Sequence, residues 1–461
     1  MNPLLAQAIR SGHSRRDFLR NLLFAAGSVS TASWLSACGS SSPLNSVAAP
    51  GRSRFADIGP LQAPDANGIQ LPAGFTSRVV AVAGEAPVPG SSFVWHRDPD
   101  GAGSFALADG GWLYVSNAEV RDATSGGLID PLQPILSRET VAALGLLRGG
   151  ASALRFAADG TLVDAYTILH DTTTNCSGTA TPWGTWICGE EIADGYMFEC
   201  DPLGTNPDGR RLDLFGRFGH EQVAIDVAGR AIYHTEDFGG DDRFYRNVFT
   251  ETDWPAGGRP AFNDGVLQAL VVEGGVEAAR NGPAPIRWVD VVNDGRPQRQ
   301  VYLPETTIFS GNEGVWFLKG FVFFSSKGDN NIWAIDTIGN TIESIYSPES
   351  QPIGSPVDPN EPPLQGVDNL CMTDDGEMIV VEDGGDMRAM VLLPDRTVVP
   401  LLRLPDETGG SEVTGPAFSP DGRRFYCSAQ RNGRNGASGN GITFEITMPF
   451  AVRVTRPLAG A

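Results

Sequence analysis

The residues best suited to chemistry stand in one run, Asn175-Cys176-Ser177-Gly178-Thr179-Ala180-Thr181-Pro182-Trp183-Gly184-Thr185-Trp186-Ile187-Cys188-Gly189-Glu190-Glu191, which sets a thiol and a carboxylate pair around a stiff Pro-Trp-Gly segment. Thiolate and carboxylate together form a donor set for metal ions. Singly, Cys176 reads equally as a small buried side chain, and Glu190 and Glu191 as the exposed end of a strand. Acids recur elsewhere. Glu119, Glu236 and Glu382 each close the second strand of a hairpin at similar though unequal distances from the turn glycine, and Glu221 opens another strand. Any one of these is an ordinary turn or strand-end acid. Their recurrence points to a shared cation site, since a hard ion such as calcium collects about six to eight oxygens.

The elements that must position these residues are hairpins of one kind: an apolar strand, a tight turn that usually contains Asp-Gly, a second strand and a polar or acidic end. They are Phe105–Glu119, Leu154–Tyr166, Val223–Asp237, Val315–Asp336, Leu370–Gly384 and Ala417–Gln430. Recurrent hairpins with period-2 patterning predict an all-β closed β-propeller with inserted loops. About six blades are expected, within the usual range. Such a fold gathers equivalent positions of successive blades around one axis, so acids far apart in sequence can meet. The 56 glycines and 33 prolines fit a turn-rich chain and exclude a helical bundle. One helix is predicted, over Ser137–Leu147, with Ser137 as its cap.

The N-terminus carries Ser14-Arg15-Arg16-Asp17-Phe18-Leu19-Arg20, an apolar run through Trp34, and Leu35-Ser36-Ala37-Cys38. This resembles a twin-arginine signal joined to a lipoprotein box, with lipidation at Cys38. Residues 1–37 are read as signal, 38–60 as a flexible tether rich in small residues, and 61–461 as a single propeller domain. The expected location is the periplasm or cell envelope, with membrane contact only through the lipid anchor. A net charge of −21 argues against nucleic acid as partner. It also repels a phosphate ester unless bound cations reverse the local field. Of the six cysteines, five remain after Cys38, an odd number that leaves at least one free or ligating thiol. Cys188 and Cys200 could bridge, Cys371 and Cys427 read as buried, and Cys176 is the one assigned a chemical role.

The Cys176–Glu191 block resembles the signature of the PhoX-type alkaline phosphatases, and further stretches are similar in the expected order. These are Asn117-Ala118-Glu119, His220-Glu221-Gln222, Thr235-Glu236-Asp237 with Tyr245-Arg246, Glu313-Gly314-Val315-Trp316, Asp368-Asn369-Leu370 with Glu382-Asp383-Gly384, and Ser419-Pro420-Asp421-Gly422. The chain is closer in length to the short members of that family. The resemblance implies a propeller whose channel holds an iron–calcium cluster and which hydrolyses phosphomonoesters. It makes Cys176 an iron ligand and Glu119, Glu190 or Glu191, Glu221, Glu236, Glu313 and Glu382 carboxylate ligands. Three departures stand out. Gly189 precedes the glutamate pair, Ala429-Gln430-Arg431-Asn432 replaces the family's ending, and no family motif places the arginines that grip phosphate. Arg246, Arg388 and Arg431 are the candidates by position, each equally readable as a surface arginine. His220 and His234 read as structural or ligating. The expected substrate is a small phosphorylated molecule handled by a monomer. The other readings are a calcium-dependent propeller lactonase or esterase, and a non-enzymatic lipoprotein whose calcium only stiffens the propeller.

Overall fold

The computed structural model describes residues 53–121, 137–237, 240–301, 305–350, 358–404, 410–431 and 441–460. Arg15, Arg16 and Cys38 lie outside the described residues. Among the described residues twenty-four strands assemble into six antiparallel blades of four strands each, and a twenty-fifth links two of the blades. The first blade comprises β2 (Pro99–Ala106), β3 (Trp112–Ala118), β4 (Gly149–Phe156) and β5 (Leu162–Thr172). The second comprises β6 (Asn175–Ala180), β7 (Trp186–Glu190), β8 (Met197–Cys200) and β9 (Arg210–Arg211). The third runs through β10 (His220–Asp226), β11 (Ala231–Glu236), β12 (Phe244–Phe249) and β13 (Gly265–Val272). The fourth has β15 (Asn312–Leu318), β16 (Phe321–Ser326), β17 (Asn331–Asp336) and β18 (Thr341–Tyr346), and β14 (Ala284–Asp290) pairs with both β13 and β18 to join the two. The fifth has β19 (Val367–Met372), β20 (Met378–Glu382), β21 (Arg388–Leu392) and β22 (Val398–Arg403). The sixth has β23 (Val413–Phe418), β24 (Arg424–Ala429) and β25 (Ile442–Thr447), and is completed by β1 (Thr76–Val82) from the start of the chain.

The innermost strands pack against one another in the cyclic order β2, β6, β10, β15, β19, β23 and back to β2. Pairing of β1 with β25, Val79 opposite Phe444, ties the first strand into the last blade. Closure of this kind leaves no long open edge.

Blades are buried on both faces, so their strands are apolar at both parities. In β16, Val322 and Phe324 enter the core between the third and fourth blades, while Phe321 and Phe323 enter the core between the fourth and fifth. Successive side chains of a strand point to opposite faces, which divides one apolar run between two cores. Further cores separate each remaining pair of neighbouring blades, including the sixth from the first, where Val80, Tyr114, Ala417 and Tyr426 meet.

The predicted hairpins are present, with one reassignment. Leu154–Tyr166 spans β4 and β5, the outer pair of the first blade, whereas the inner hairpin of the second blade is the Cys176 block itself, turning at Thr181–Thr185. Helix α1 spans Arg138–Ala143, and Ser137 caps it by accepting from Thr140 N at 3.2 Å. The packed structure reaches into the stretch assigned to the tether: Phe55 is fully buried and stacks edge-on to Phe450. Among the described residues no helix is long and apolar enough to cross a membrane.

Candidate metal centre

Each blade begins with the same irregularity. The innermost strand pairs with the end of the second strand through Pro99–Ala118, Asn175–Glu190, His220–Glu236, Asn312–Ser326, Val367–Glu382 and Val413–Ala429, and the register then shifts, immediately in the first five blades and one pair later, after Thr414–Ser428, in the sixth. Such a bulge inserts an extra residue and re-aims the side chain it carries. In the first five blades the residue that enters the bulge is Asp100, Cys176, Glu221, Glu313 and Asp368, so each of these blades places a ligand-type side chain there, whereas Thr414 of the sixth stays paired with Ser428. The residue just past the second strand forms a companion set: Glu119, Glu191, Asp237, Lys327, Asp383 and Gln430. Their backbone N–H groups donate in the same way to Asp98, Thr174, Gly219, Gly311, Gly366 and Glu412.

These two sets meet across blade boundaries. Ligand atoms of Asp100, Glu119 and Cys176 lie within 4.8 Å of one another, as do those of Cys176, Glu191 and Glu221, and those of Asp368, Asp383 and Glu412. Cys176 belongs to two of these groups and is the thiol shared between them. The bulges are held by the neighbouring blade: Asn117 Nδ2 donates to Cys176 O at 3.1 Å and Ser177 O at 3.0 Å, Thr235 Oγ1 to Glu313 O at 2.6 Å, and Ser325 Oγ to Asp368 O at 2.6 Å. Gly314 permits the close approach, because a Cβ there would lie 2.5 Å from Leu370 N. Gly189 leaves room for the buried His220 ring, whose Cβ sits where a side chain at 189 would begin.

Crowded carboxylates in a buried ring hold their protons. Burial, then the Glu119 carboxylate, raises Asp100 well above the ordinary range. Burial and the Glu191 charge do the same for Glu221. Asp368 is raised to about 6, by burial first, with Lys327 opposing and Asp383 adding. Glu412 reaches about 8 through burial and the Asp383 charge, against the pull of Arg431. Burial and then Asp100 push the Cys176 thiol well up. A site of this kind favours bound cations, which ionise their ligands and repay the desolvation. The residues fit such a group on a further observation: Glu221 Oε2 is buried without a hydrogen-bond partner. The donor set of one thiol with many carboxylates suits a softer metal at Cys176 beside hard, oxygen-seeking ions.

Not every candidate from the sequence turns into this ring. Cys176, Glu119, Glu191, Glu221 and Glu313 do. Glu190, one residue before Glu191, faces the other way into a buried pair with Arg138, Nε to Oε2 at 2.6 Å. Glu382 pairs with Arg388, and Glu236 accepts from Arg243 N at 3.0 Å; burial raises Glu236 to about 7. These three occupy the paired position of the second strand, and the ring position follows it. Of the arginines, Arg388 is buried, bound also to Glu361 Oε1 at 2.6 Å and to the carbonyls of Pro362 and Pro363 at 2.9 Å. Arg246, on β12, lies over the Trp288 ring and binds Gln268. Arg431 alone of the three reaches the acids, 2.7 Å from Glu412 and 3.6 Å from Glu119. His220 and His234 lie in an aromatic stack with Phe218, and burial depresses both. Trp183 packs in the core between the second and third blades, and Trp316 lines an internal cavity of about 310 Å³ with Gln222, Cys371 and Arg456. All five described cysteines are unbridged.

Sequence reasoning centred on glutamates misses Asp100, Asp237, Asp368, Asp383, Glu412, Gln430, Lys327 and Arg121. Gln430 Nε2 bonds Asp100 and, at 2.6 Å, Glu119, and Arg121 lies 3.0 Å from Glu119. Asp237, Asp368 and Asp383 stand inside the very motifs that carry the resemblance, so their signal was present as an adjacent acid.

The comparisons agree with this architecture. A family model described as "Alkaline phosphatase PhoX" matches residues 147–316. Among solved structures, Pseudomonas fluorescens PhoX in complex with vanadate, a transition state analogue, is similar over 86% of this chain and 98% of its own, with a TM-score of 0.66 and 15% identity. A gluconolactonase from Xanthomonas campestris is similar at a TM-score of 0.38 and 13% identity, over 77% of this chain and 87% of its own. A calcium-binding regucalcin from Agrobacterium tumefaciens gives 0.40 and 12%, over 79% and 97%. No curated protein matches the chain. The chain is thus similar to the "Alkaline phosphatase PhoX" family model over residues 147–316 and shares the fold of Pseudomonas fluorescens PhoX over most of its length.

Proposed function

We propose that this protein is a metal-dependent phosphomonoesterase, with iron at Cys176 and calcium among the carboxylates of the ring. The observation that carries the reading is Cys176, a buried thiol shared by two groups of acids at the end of a closed channel. Asp100, Glu119 and Cys176 would hold one ion, and Cys176, Glu191 and Glu221 another. Bound there, the metals would supply positive charge for the phosphoryl oxygens and an activated oxygen nucleophile. The chain's own part is positioning. Arg431 and Arg121, each about a third or more exposed, stand at the rim with guanidinium donors beyond those used on Glu119 and Glu412. They would orient an entering phosphate ester, a bidentate task suited to arginine. The companion Gln430 fixes Asp100 and Glu119 relative to each other.

The test is elemental analysis of protein purified from its native export route, with p-nitrophenyl phosphate turnover and vanadate inhibition on the same sample. Iron together with calcium, and turnover blocked by vanadate, is the expected result. Calcium alone with lactone turnover would move the protein to the lactonase reading, and calcium with no turnover to the structural one.

Export and anchoring form part of the same proposal, with a monomer tethered to the envelope by lipid at Cys38. Changing Arg15 and Arg16 together to Lys should block translocation, since lysine lacks the guanidinium geometry. Cys38→Ser should leave the protein exported but released from membranes, as fractionation would record; retention on membranes counts against the anchor.

A further inference from the structure

The fourth blade breaks the pattern of its neighbours. At the position just past the second strand, blades one, two, three and five carry Glu119, Glu191, Asp237 and Asp383, and the sixth carries Gln430. The fourth carries Lys327. Its ammonium lies 2.6 Å from Glu313 Oε1, 3.1 Å from Asp383 Oδ2, 3.5 Å from Asp368 Oδ2 and 4.0 Å from Asp237 Oδ2. Glu313 and Asp368 are the bulge residues of the fourth and fifth blades. Elsewhere the equivalent pair encloses a carboxylate: Asp100 and Cys176 around Glu119, Cys176 and Glu221 around Glu191. Between the fourth and fifth blades the enclosed group is itself a cation.

The lysine is held there by its backbone. Lys327 N donates to Gly311 O at 2.7 Å, and Gly328 N to Ser310 O at 2.9 Å, so the turn that follows β16 is locked to the segment that precedes β15. Gly328 is needed for this contact, because a Cβ there would collide with the Ser310 side chain. Three carboxylates lie within 3.5 Å of the ammonium as ion pairs, and Nζ donates a hydrogen bond to Asp368 Oδ2 at 3.5 Å. A calcium ion binds oxygens at about 2.3–2.6 Å. It cannot share the space that Nζ takes beside Glu313.

We propose that Lys327 is a tethered cation that takes the place of one divalent ion between Glu313, Asp368 and Asp383. The inference rests on the metal-centre reading and refines its stoichiometry: the centre collects ions on the Cys176 side of the ring, while between Glu313, Asp368 and Asp383 the Lys327 ammonium supplies the positive charge. A lysine carries one charge, never exchanges and offers no Lewis acidity, so this side of the ring is scaffold rather than reaction site.

The experiment counts metal per chain by mass spectrometry in wild-type protein and in Lys327→Met, each saturated with calcium and freed of excess by gel filtration. Lys327→Met should bind one additional divalent ion, and Lys327→Arg, which keeps the charge, should match the wild type. An unchanged or lower count in Lys327→Met overturns the proposal, and loss of vanadate binding with an unchanged count assigns Lys327 to the substrate instead. Should Lys327→Met fail to fold, acetylation of Lys327 in the wild type decides. Labelling equally slow in chelator and in calcium supports the tethered cation, and faster labelling in calcium overturns it, because a metal would then have displaced the ammonium. Wild-type protein that binds no metal under any condition removes the metal-centre reading itself, whereas metal-loaded wild type with an unchanged count in Lys327→Met removes only this inference.

Discussion

Cys176 and Glu190 show how much a single position decides. Both are buried, both belong to the same hairpin, and both are ligand types, yet one enters the ring and the other an ion pair. Cys176→Ser should keep the fold, because the side chains are nearly isosteric and the bulge is held through backbone carbonyls by Asn117. A hydroxyl is a much poorer ligand for iron than a thiolate. Displacing even the groups behind a metal ligand costs about 10–100-fold in affinity or activity. Iron retention and phosphomonoester turnover should therefore both fall by at least about 100-fold, with calcium partly retained. Full iron content in this variant, measured alongside circular dichroism to confirm folding, would return Cys176 to the role of a small core residue.

At the scale of the blade, the second strand divides its acids between two tasks. Glu190, Glu236 and Glu382 sit at the paired position, where Glu236 and Glu382 tie their own blades internally and Glu190 binds Arg138 of α1 from the first blade, and the residue after each turns to the channel. The clearest case is Arg388, which on β21 joins Glu382 on β20 to Glu361 and to two carbonyls of the segment entering the blade. Replacing one member of a buried ion pair leaves the other charge uncompensated and costs about 3–5 kcal/mol. Arg388→Met should lower unfolding stability by about that amount, read in urea, with KM for p-nitrophenyl phosphate unchanged in the folded fraction. A raised KM at unaltered stability would instead make Arg388 a phosphate ligand.

For the whole molecule, a closed ring of blades forces acids from all six into one buried space, so stability is linked to both pH and metal. Asp368 and Glu412 are raised to about 6 and about 8, chiefly by burial. Between the ordinary carboxylate range and those values the folded, metal-free chain holds more protons than the unfolded one. Stability falls with rising pH wherever that is so. In chelator the melting temperature should therefore drop between pH 5 and pH 8, and the gain from added calcium should grow as pH rises, because cations on the Cys176 side stabilise the ionised forms of Asp100 and Glu221, which burial raises in the same direction. A melting temperature that is flat or rising in chelator across that window would contradict the buried-ring account. Scanning calorimetry at three pH values, with and without calcium, is sufficient.

The amino-acid sequence determined the hairpin chemistry and therefore the architecture: Asp-Gly turns recurring between strands predict the blades of a propeller. It also pointed to Cys176, Glu190 or Glu191, Glu221 and Glu313 as a set, because the resemblance is carried by those residues and their order. It did not decide which member of an acid pair faces the channel. Side chains alternate along a strand, so a shift of one residue reverses the face, and the bulges that set the shift are enforced by contacts between blades such as Thr235 to Glu313 O and Ser325 to Asp368 O. Distances from the turn glycine, which guided the choice of Glu119, Glu236 and Glu382, contain nothing of those contacts. Only the tertiary structure separated Glu191 from Glu190 and drew Asp100, Asp368 and Glu412 into the ring. It likewise gave Arg388 to the fifth blade and Arg431 to the rim, and showed Lys327 standing where its counterparts are acids, because each of these outcomes depends on contacts made only when strands and connecting segments pack together.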